Sequence, residues 1–284
     1  MKESMAFLSL IIFSLVGFSQ NPTPVYLWPG NVPGETESKH EPVRTPNTNG
    51  DVIRLTDVTN PAFQVFSPAK EISNGAGVVI CPGGGYSILA FNKEGTEIAE
   101  WLTKEGFTAF VLQYRVPNKR EGALMDIQRA IRIIRNNANG YGINSNKLGV
   151  MGFSAGGSLS ARAATLYANR SYPPIDIADC ISCRPDFALL IYPAYLDLGS
   201  NKTLTPELIV NQDTPPMFLF ATADDGHGNS ALVMTSALRD AKVPVELHFI
   251  AKGGHGYGLR IGNVAGETWP GLAKIWLNKI IAEK

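Results

Sequence analysis

Gly152-Phe153-Ser154-Ala155-Gly156 is a G-x-S-x-G pentapeptide preceded by a strand-like run, Leu148 to Phe153, and followed by small residues that suit a helix start. A serine at a sharp strand-to-helix turn occupies a strained backbone position, and glycines two residues to either side are needed where any side chain would strike the neighbouring strand or helix. The turn pushes the hydroxyl into the open, beside a helix N-terminus whose free N–H groups favour an anion. That arrangement suits nucleophilic attack by Ser154, which needs a base. The chain has four histidines. His40 precedes the sheet, His248 lies within a strand in register with Glu246 and Ile250, and His227 stays open in the loop after Met217 to Ala221. His255, in Gly253-Gly254-His255-Gly256-Tyr257-Gly258, follows the last strand on a loop flexible enough to bring an imidazole over the serine, and is the predicted base.

The imidazole in turn needs an acid to fix its tautomer and stabilise the imidazolium. Asp224 and Asp225 both stand just beyond the strand Met217 to Ala221; Asp225 is taken first, Asp224 second, and Asp197, after the strand ending at Tyr192, third. The aspartate that does not reach His255 is expected to cap the helix near Asn229 or to face solvent. Acyl transfer also needs N–H donors aimed at the developing oxyanion. Ala155 supplies one, and Gly84 and Gly85 of Pro82-Gly83-Gly84-Gly85-Tyr86 supply the others, because bare glycine backbone approaches a substrate oxygen closely. A phosphate cradle is the competing reading of this loop, but its spacing fits neither G-x-G-x-x-G nor G-x-x-x-x-G-K-[ST].

The elements that must position these residues follow from the apolar pattern. Gly77 to Cys81, Phe107 to Leu112, Leu148 to Phe153, Phe187 to Tyr192, Met217 to Ala221 and Val243 to Ile250 are runs as long as buried strands, after two shorter ones at Val52 to Val58 and Ala62 to Phe66. Helical patterns fall at Gly95 to Lys104, Lys119 to Asn139, Ala155 to Tyr167, Asn229 to Ala241 and Glu267 to Glu283. Leu124, Ile127, Ile131 and Ile134 form one apolar stripe, and Trp269, Leu272, Ile275, Trp276 and Ile280 another. The alternation predicts an α/β fold: a mostly parallel central sheet with helices on both faces, preceded by an antiparallel start. Ligands in such sheets bind at the carboxyl ends of the strands.

The chain of 284 residues is expected to carry one catalytic domain over residues 51–284. Residues 20–50, rich in Pro, Gly, Thr and Asn, should run extended over the surface as an arm. Residues 1–19 read as a cleaved export signal, with an uncharged apolar run from Met5 to Phe18 and a small-x-small site at Gly17-Phe18-Ser19. The product is then periplasmic or secreted. Twenty-five basic and 25 acidic residues cancel to a formal net charge of zero, which removes the footprint that a nucleic-acid partner requires, and no apolar run after residue 20 is long enough for a membrane span. Of three cysteines, Cys81 reads as buried, while the C-x-x-C pair Cys180 and Cys183 reads either as a local disulfide or as two free thiols. No metal or cofactor is called for.

With these residues in place the chain resembles the α/β-hydrolase fold serine esterases, in particular exported bacterial carbohydrate esterases often labelled acetyl esterase or endo-xylanase. The resemblance rests on Leu27-Trp28-Pro29-Gly30 with Pro33-Gly34, Cys81-Pro82-Gly83-Gly84-Gly85-Tyr86, Glu94-Gly95, Tyr114-Arg115, Gly152-Phe153-Ser154-Ala155-Gly156-Gly157 and the glycine-rich segment around His255. It implies Ser154 as nucleophile, His255 as base, Asp225 as acid, and Gly84, Gly85 and Ala155 as the oxyanion loop, with the acid between serine and histidine in chain order. It also implies a short acyl ester of a sugar as substrate. Tyr86 and Glu94 are expected near the mouth as substrate contacts, Glu94 alternatively as an early helix residue answering the dipole. Ser158 stands where many relatives carry a histidine, and should pack behind the turn; the acid loop, Asp224 to Asn229, is shorter than usual. A serine peptidase or a lactone or thioester hydrolase is the alternative on the same site, and a non-catalytic binding protein the alternative outside enzymes.

Overall fold

Strands and helices alternate as the apolar runs require in the computed structural model, which describes residues 22–46 and 51–283. The export signal expected over residues 1–19 lies outside the described residues. The strands are β1 (Val25–Tyr26), β2 (Val43–Arg44), β3 (Arg54–Thr56), β4 (Ala62–Phe66), β5 (Gly77–Cys81), β6 (Leu89–Ala90), β7 (Thr108–Gln113), β8 (Leu148–Phe153), β9 (Ala188–Ile191), β10 (Met217–Thr222) and β11 (Val245–Ile250). The α-helices are α1 (Glu97–Lys104), α2 (Arg120–Asn136), α3 (Ala155–Thr165), α4 (Asn229–Asp240) and α5 (Val264–Ala282).

Eight strands form one sheet in the order β1-β4-β7-β5-β8-β9-β10-β11. β1 and β4 pair antiparallel, and from β7 to β11 every pairing is parallel. The reason for the parallel core lies in β5, β7, β8, β9 and β10, which are buried on both faces. Alternate residues of β5 divide between two apolar layers, Val79 and Cys81 with Ile127, Leu159 and Met234 on one side, Val78 and Ile80 with Ile98, Trp269 and Leu277 on the other. Each fully buried Val, Leu or Ile of this kind contributes about 1.5–3 kcal/mol. Helices α2, α3 and α4 therefore cover one face, and α1 and α5 the other.

The chain runs from β5 outward to β7 and then crosses back to β8 on the other side of β5. The loops leaving β5 and β8 diverge there, and a crevice opens at the carboxyl ends of these two strands. Those loops are Pro82 to Tyr86 and the turn at Ser154.

Four expectations need correction. The run Val52 to Val58 joins no main-sheet strand: β3 pairs with β2 and β6 in a separate three-stranded sheet. The arm is more than a surface strap, because Leu27, Trp28 and Val32 are buried, the Trp28 indole donates to Asp126 Oδ1 at 2.9 Å, and Arg129 Nε donates to the Leu27 carbonyl at 3.1 Å. Ile275 is 70% exposed and leaves the α5 stripe; at 3.6 residues per turn it lies about 120° from Trp269, whereas Trp276 returns to the same face. Helix α5 also starts before the expected Glu267, where the Asn263 side chain accepts the N–H groups of Ala265 and Gly266.

Candidate active site

Ser154 joins β8 to α3 with φ 53° and ψ −118°, an unfavourable backbone for a residue with a side chain. Its neighbours leave no alternative. A β-carbon on Gly152 would lie 2.0 Å from the Gly156 carbonyl oxygen, and one on Gly156 would lie 1.9 Å from the Cys81 carbonyl oxygen. The Ser154 N–H donates to Ile191 at 3.2 Å, and its carbonyl accepts from Ser158 at 3.1 Å and Ala194 at 3.0 Å. Ser158 is fully buried in α3 behind this turn.

The turn from β11 into α5 brings His255 over the serine. Its Nε2 lies 2.7 Å from Ser154 Oγ and its Nδ1 2.7 Å from Asp225 Oδ2. The network assigns the Nδ1 proton to the bond with Asp225, which leaves Nε2 to accept from the serine hydroxyl. The Asp225 side chain is only 1% exposed, and its Oδ1 accepts the His227 N–H at 2.8 Å. Ser154, His255 and Asp225, distant along the chain, are thus brought together in a continuous relay.

Asp224 does not cap α4; it faces solvent, the other outcome expected of the second aspartate, and also ties down the histidine loop. It accepts from the N–H groups of Gly254 at 2.9 Å and Gly253 at 3.2 Å and from the Thr222 hydroxyl at 2.8 Å, tying the histidine loop to the end of β10. The Gly254 N–H first, and then the Thr222 hydroxyl, hold its carboxyl below the usual range. Helix α4 begins without a side-chain cap from either. Asp197 instead accepts from Asn229 Nδ2 and Ser230 Oγ, both at 2.9 Å, and so secures the start of α4. His248 bonds to Glu246 at 2.7 Å, and His40 lies 3.5 Å from Asp57. The His227 ring stands 5.0 Å from that of His255 and 5.4 Å from that of Tyr195.

The loop after β5 packs directly against the serine: a β-carbon on Gly83 would lie 2.8 Å from Ser154 Cβ. Gly84 and Gly85 take φ 131° and 66°, and the Gly84 carbonyl closes the turn by accepting from Ser87 at 3.0 Å and Ile88 at 3.1 Å. Neither the N–H groups of Gly84 and Gly85 nor that of Ala155 donates to an acceptor among the described residues.

Tyr86 and Glu94 are not at the mouth. Tyr86 is 1% exposed, packed against Tyr114 and Tyr195 with the Arg120 guanidinium 4.9 Å from its ring centre. Glu94 is 4% exposed because it sits in a π turn, Asn92–Thr96, that rotates it inward rather than along the exposed start of α1. Its Oε2 accepts the Gly83 N–H at 2.7 Å, its Oε1 accepts the Tyr192 hydroxyl at 2.9 Å, and burial pushes its pKa up. The residues missed by sequence reasoning are Tyr192, which ends the apolar run Phe187 to Tyr192 and so reads as strand, and Tyr195, which lies beyond that run in a loop with no motif to mark it. Both take positive φ, 38° and 62°, as do Ser154 and Tyr86, so backbone strain concentrates around the nucleophile.

Cys180 and Cys183 are free thiols, the first exposed and the second buried. Among the described residues Glu37, His40 and Asp57 place three potential metal ligands within 4.8 Å of one another, and none of them belongs to the serine site. No helix among the described residues is long and apolar enough to cross a membrane.

The BD-FAE family model matches residues 63–181, a span that holds Gly84, Gly85 and Ser154 and ends before Asp225 and His255. An acetyl ester-xyloside bifunctional hydrolase from Caldicellulosiruptor lactoaceticus superposes with a TM-score of 0.74 at 28% identity, over 93% of this chain and 98% of the other. MGS-M1, an α/β hydrolase enzyme from a deep-sea metagenome library of the Medee basin, does so at 0.61 and 28%, over 85% and 98%. The chain has the α/β-hydrolase fold. The chain is also 31% identical over 232 residues to an acetylxylan esterase of Xylanibacter ruminicola, covering 72% of the chain and 45% of the relative. With endo-1,4-beta-xylanase B of Butyrivibrio fibrisolvens it shares 33% over 205 residues, 63% of the chain and 32% of the relative. The chain therefore spans less than half the length of the curated relatives it matches.

Proposed function

We propose that the protein is an exported serine esterase that removes short acyl groups, acetyl foremost, from saccharides through an acyl-enzyme intermediate. Ser154 Oγ attacks the ester carbonyl while His255 Nε2 takes its proton. Asp225 holds the imidazole and stabilises its cation, and the N–H groups of Gly84, Gly85 and Ala155 receive the oxyanion at the positive end of α3. The tetrahedral adduct collapses as His255 protonates the leaving sugar alcohol; a water activated by the same imidazole then releases the carboxylic acid and restores the serine. These side chains account for each step without a metal or an organic cofactor.

The observation that carries this reading is the unbroken relay from Ser154 through His255 to Asp225, both links at 2.7 Å. It also disfavours a non-catalytic binding protein, which has no use for a strained serine in such a relay. Support for a saccharide leaving group comes from the half-buried Tyr195 and His227 beside the triad, and from a relative and a solved structure named for acetylated xylan or xyloside substrates. The balanced charge supports a neutral saccharide rather than a nucleic acid.

The test is release of acetate from acetylated xylo-oligosaccharides, compared with hydrolysis of short peptides, lactones and thioesters under the same conditions. Acetate release with the highest kcat/KM of the set is expected. Preferred cleavage of a peptide, lactone or thioester, or no turnover of any acyl substrate, would overturn the assignment.

A further inference from the structure

Glu94 is a buried acid that touches none of the triad atoms, yet two loops of the site end on it. Its carboxyl meets donors: the Gly83 N–H at 2.7 Å and the Tyr192 hydroxyl at 2.9 Å. Gly83 directly precedes Gly84 and Gly85, and is wedged so tightly that a β-carbon there would lie 2.6 Å from Glu94 Oε2 and 2.8 Å from Ser154 Cβ. On the other side the Tyr192 hydroxyl accepts the Gly258 N–H at 3.0 Å, and the tyrosine ring meets the His255 ring edge-on at 5.1 Å. Gly258 closes the glycine-rich segment that carries His255, and a β-carbon on it would come within 3.0 Å of the Lys93 carbonyl oxygen, so this segment also packs on the residue before Glu94. The hydrogen bonds run in one line, Gly83 N–H to Glu94, Tyr192 O–H to Glu94, and Gly258 N–H to Tyr192. Tyr192 holds φ 38° to take part. A non-glycine residue persists at such an angle only where its surroundings fix it.

We propose that Glu94 is a positioning residue, whose carboxyl joins the oxyanion loop to the histidine loop and sets their separation across Ser154. The proposal rests on the esterase reading. It explains why a carboxyl is buried there: one oxygen accepts the backbone N–H while the other accepts the phenol, whereas an amide offers one acceptor oxygen and turns an NH2 donor toward the second partner. Burial holds the pKa of Glu94 above its ordinary value, and the Tyr192 hydroxyl and the Gly83 N–H oppose that rise.

The test compares Glu94→Gln, Tyr192→Phe and the double variant with wild type on a small chromogenic acetate, with melting temperatures recorded for each. A displaced oxyanion donor or imidazole acts on the transition state, so each single variant is expected to lower kcat about 10- to 100-fold with KM changed less than about twofold. The double variant should be no slower than the slower single, because both cut the same line. Glu94→Asp, one methylene short of spanning both donors, should not restore the rate. Wild-type kcat in folded Glu94→Gln and Tyr192→Phe, or losses that multiply in the double variant, would overturn the proposal. Should Glu94→Gln fail to fold, Tyr192→Phe, which loses only a hydroxyl, decides by the same kcat and KM readings. The rate at which a fluorophosphonate labels Ser154 separates this proposal from the esterase reading, because it reports nucleophile and oxyanion donors without an ester. If wild type labels but hydrolyses no acetate, the esterase reading falls; labelling slowed about tenfold or more in the variants still supports the role of Glu94, and unchanged labelling refutes it.

Discussion

Glycine does different work in the two loops that meet at the active site. Around Ser154 the glycines are dictated by crowding: a β-carbon on Gly152 or Gly156 would lie 2.0 or 1.9 Å from a backbone oxygen. Around His255, Gly254 and Gly256 have open space on that side, with nothing within 4 Å, and are dictated by φ angles of 66° and 71°. The nucleophile is therefore held by close-packed backbone, in a core where a small change of volume is felt at once. The base is held by hydrogen bonds to acids: Asp225 directly, Asp224 through the Gly253 and Gly254 N–H groups, and Glu94 through Tyr192 and Gly258. The serine turn is held by packed backbone on both flanks, while the histidine loop, packed at Gly253 and Gly258, depends on hydrogen bonds to acids beside the histidine itself, so damage to each should register in a different quantity.

The sharpest contrast is between the neighbouring aspartates. Asp225→Asn should lower kcat/KM by about 10⁴-fold while the fold persists, because the amide no longer selects the histidine tautomer. Measured on a chromogenic acetate, a loss of tenfold or less would remove Asp225 from the relay. The next contrast lies in stability. Gly156→Ala forces backbone apart and should cost more than about 4 kcal/mol, leaving little folded protein. Gly254→Ala adds a methyl into open space at positive φ and should cost about 1–2 kcal/mol. Equal costs in denaturant titrations would erase the distinction between crowding and backbone angle.

The smallest effect is one of pH. Because donors in the histidine loop depress Asp224 in the folded state, its contribution to stability is fully present above the ordinary carboxylate pKa and is lost as pH falls through the lowered folded value. The melting temperature of Asp224→Asn should thus trail that of wild type at neutral pH, and the gap should close in acid. A gap that widens in acid would contradict this role.

The same contrast governs what was readable from sequence. β5 and β8 fall on the apolar runs Gly77 to Cys81 and Leu148 to Phe153 residue for residue, since full burial on both faces leaves an uninterrupted apolar signal. The serine turn was legible because crowding leaves a fixed pair of glycines. Contacts made by direction rather than by residue type were not. Nothing in Asn92 to Thr96 marks the π turn that carries Glu94 inward, and nothing in the glycine loop marks the positive φ of 58° at Tyr86, which is buried as well. Two-residue strands such as β2 and β6 are too short to show periodicity. Trp28 looked like part of a surface arm because its burial depends on Asp126, 98 residues away.

The central claim is that His255 activates Ser154 toward acyl carbon, and the most direct measurement is the intact mass of the protein after reaction with a fluorophosphonate, followed by mapping of the modified peptide. A single adduct on Ser154, formed rapidly in wild type and slowed by orders of magnitude in a folded His255→Ala variant, is the expected result. An unlabelled Ser154 in folded wild type, or labelling equally fast without His255, would contradict it.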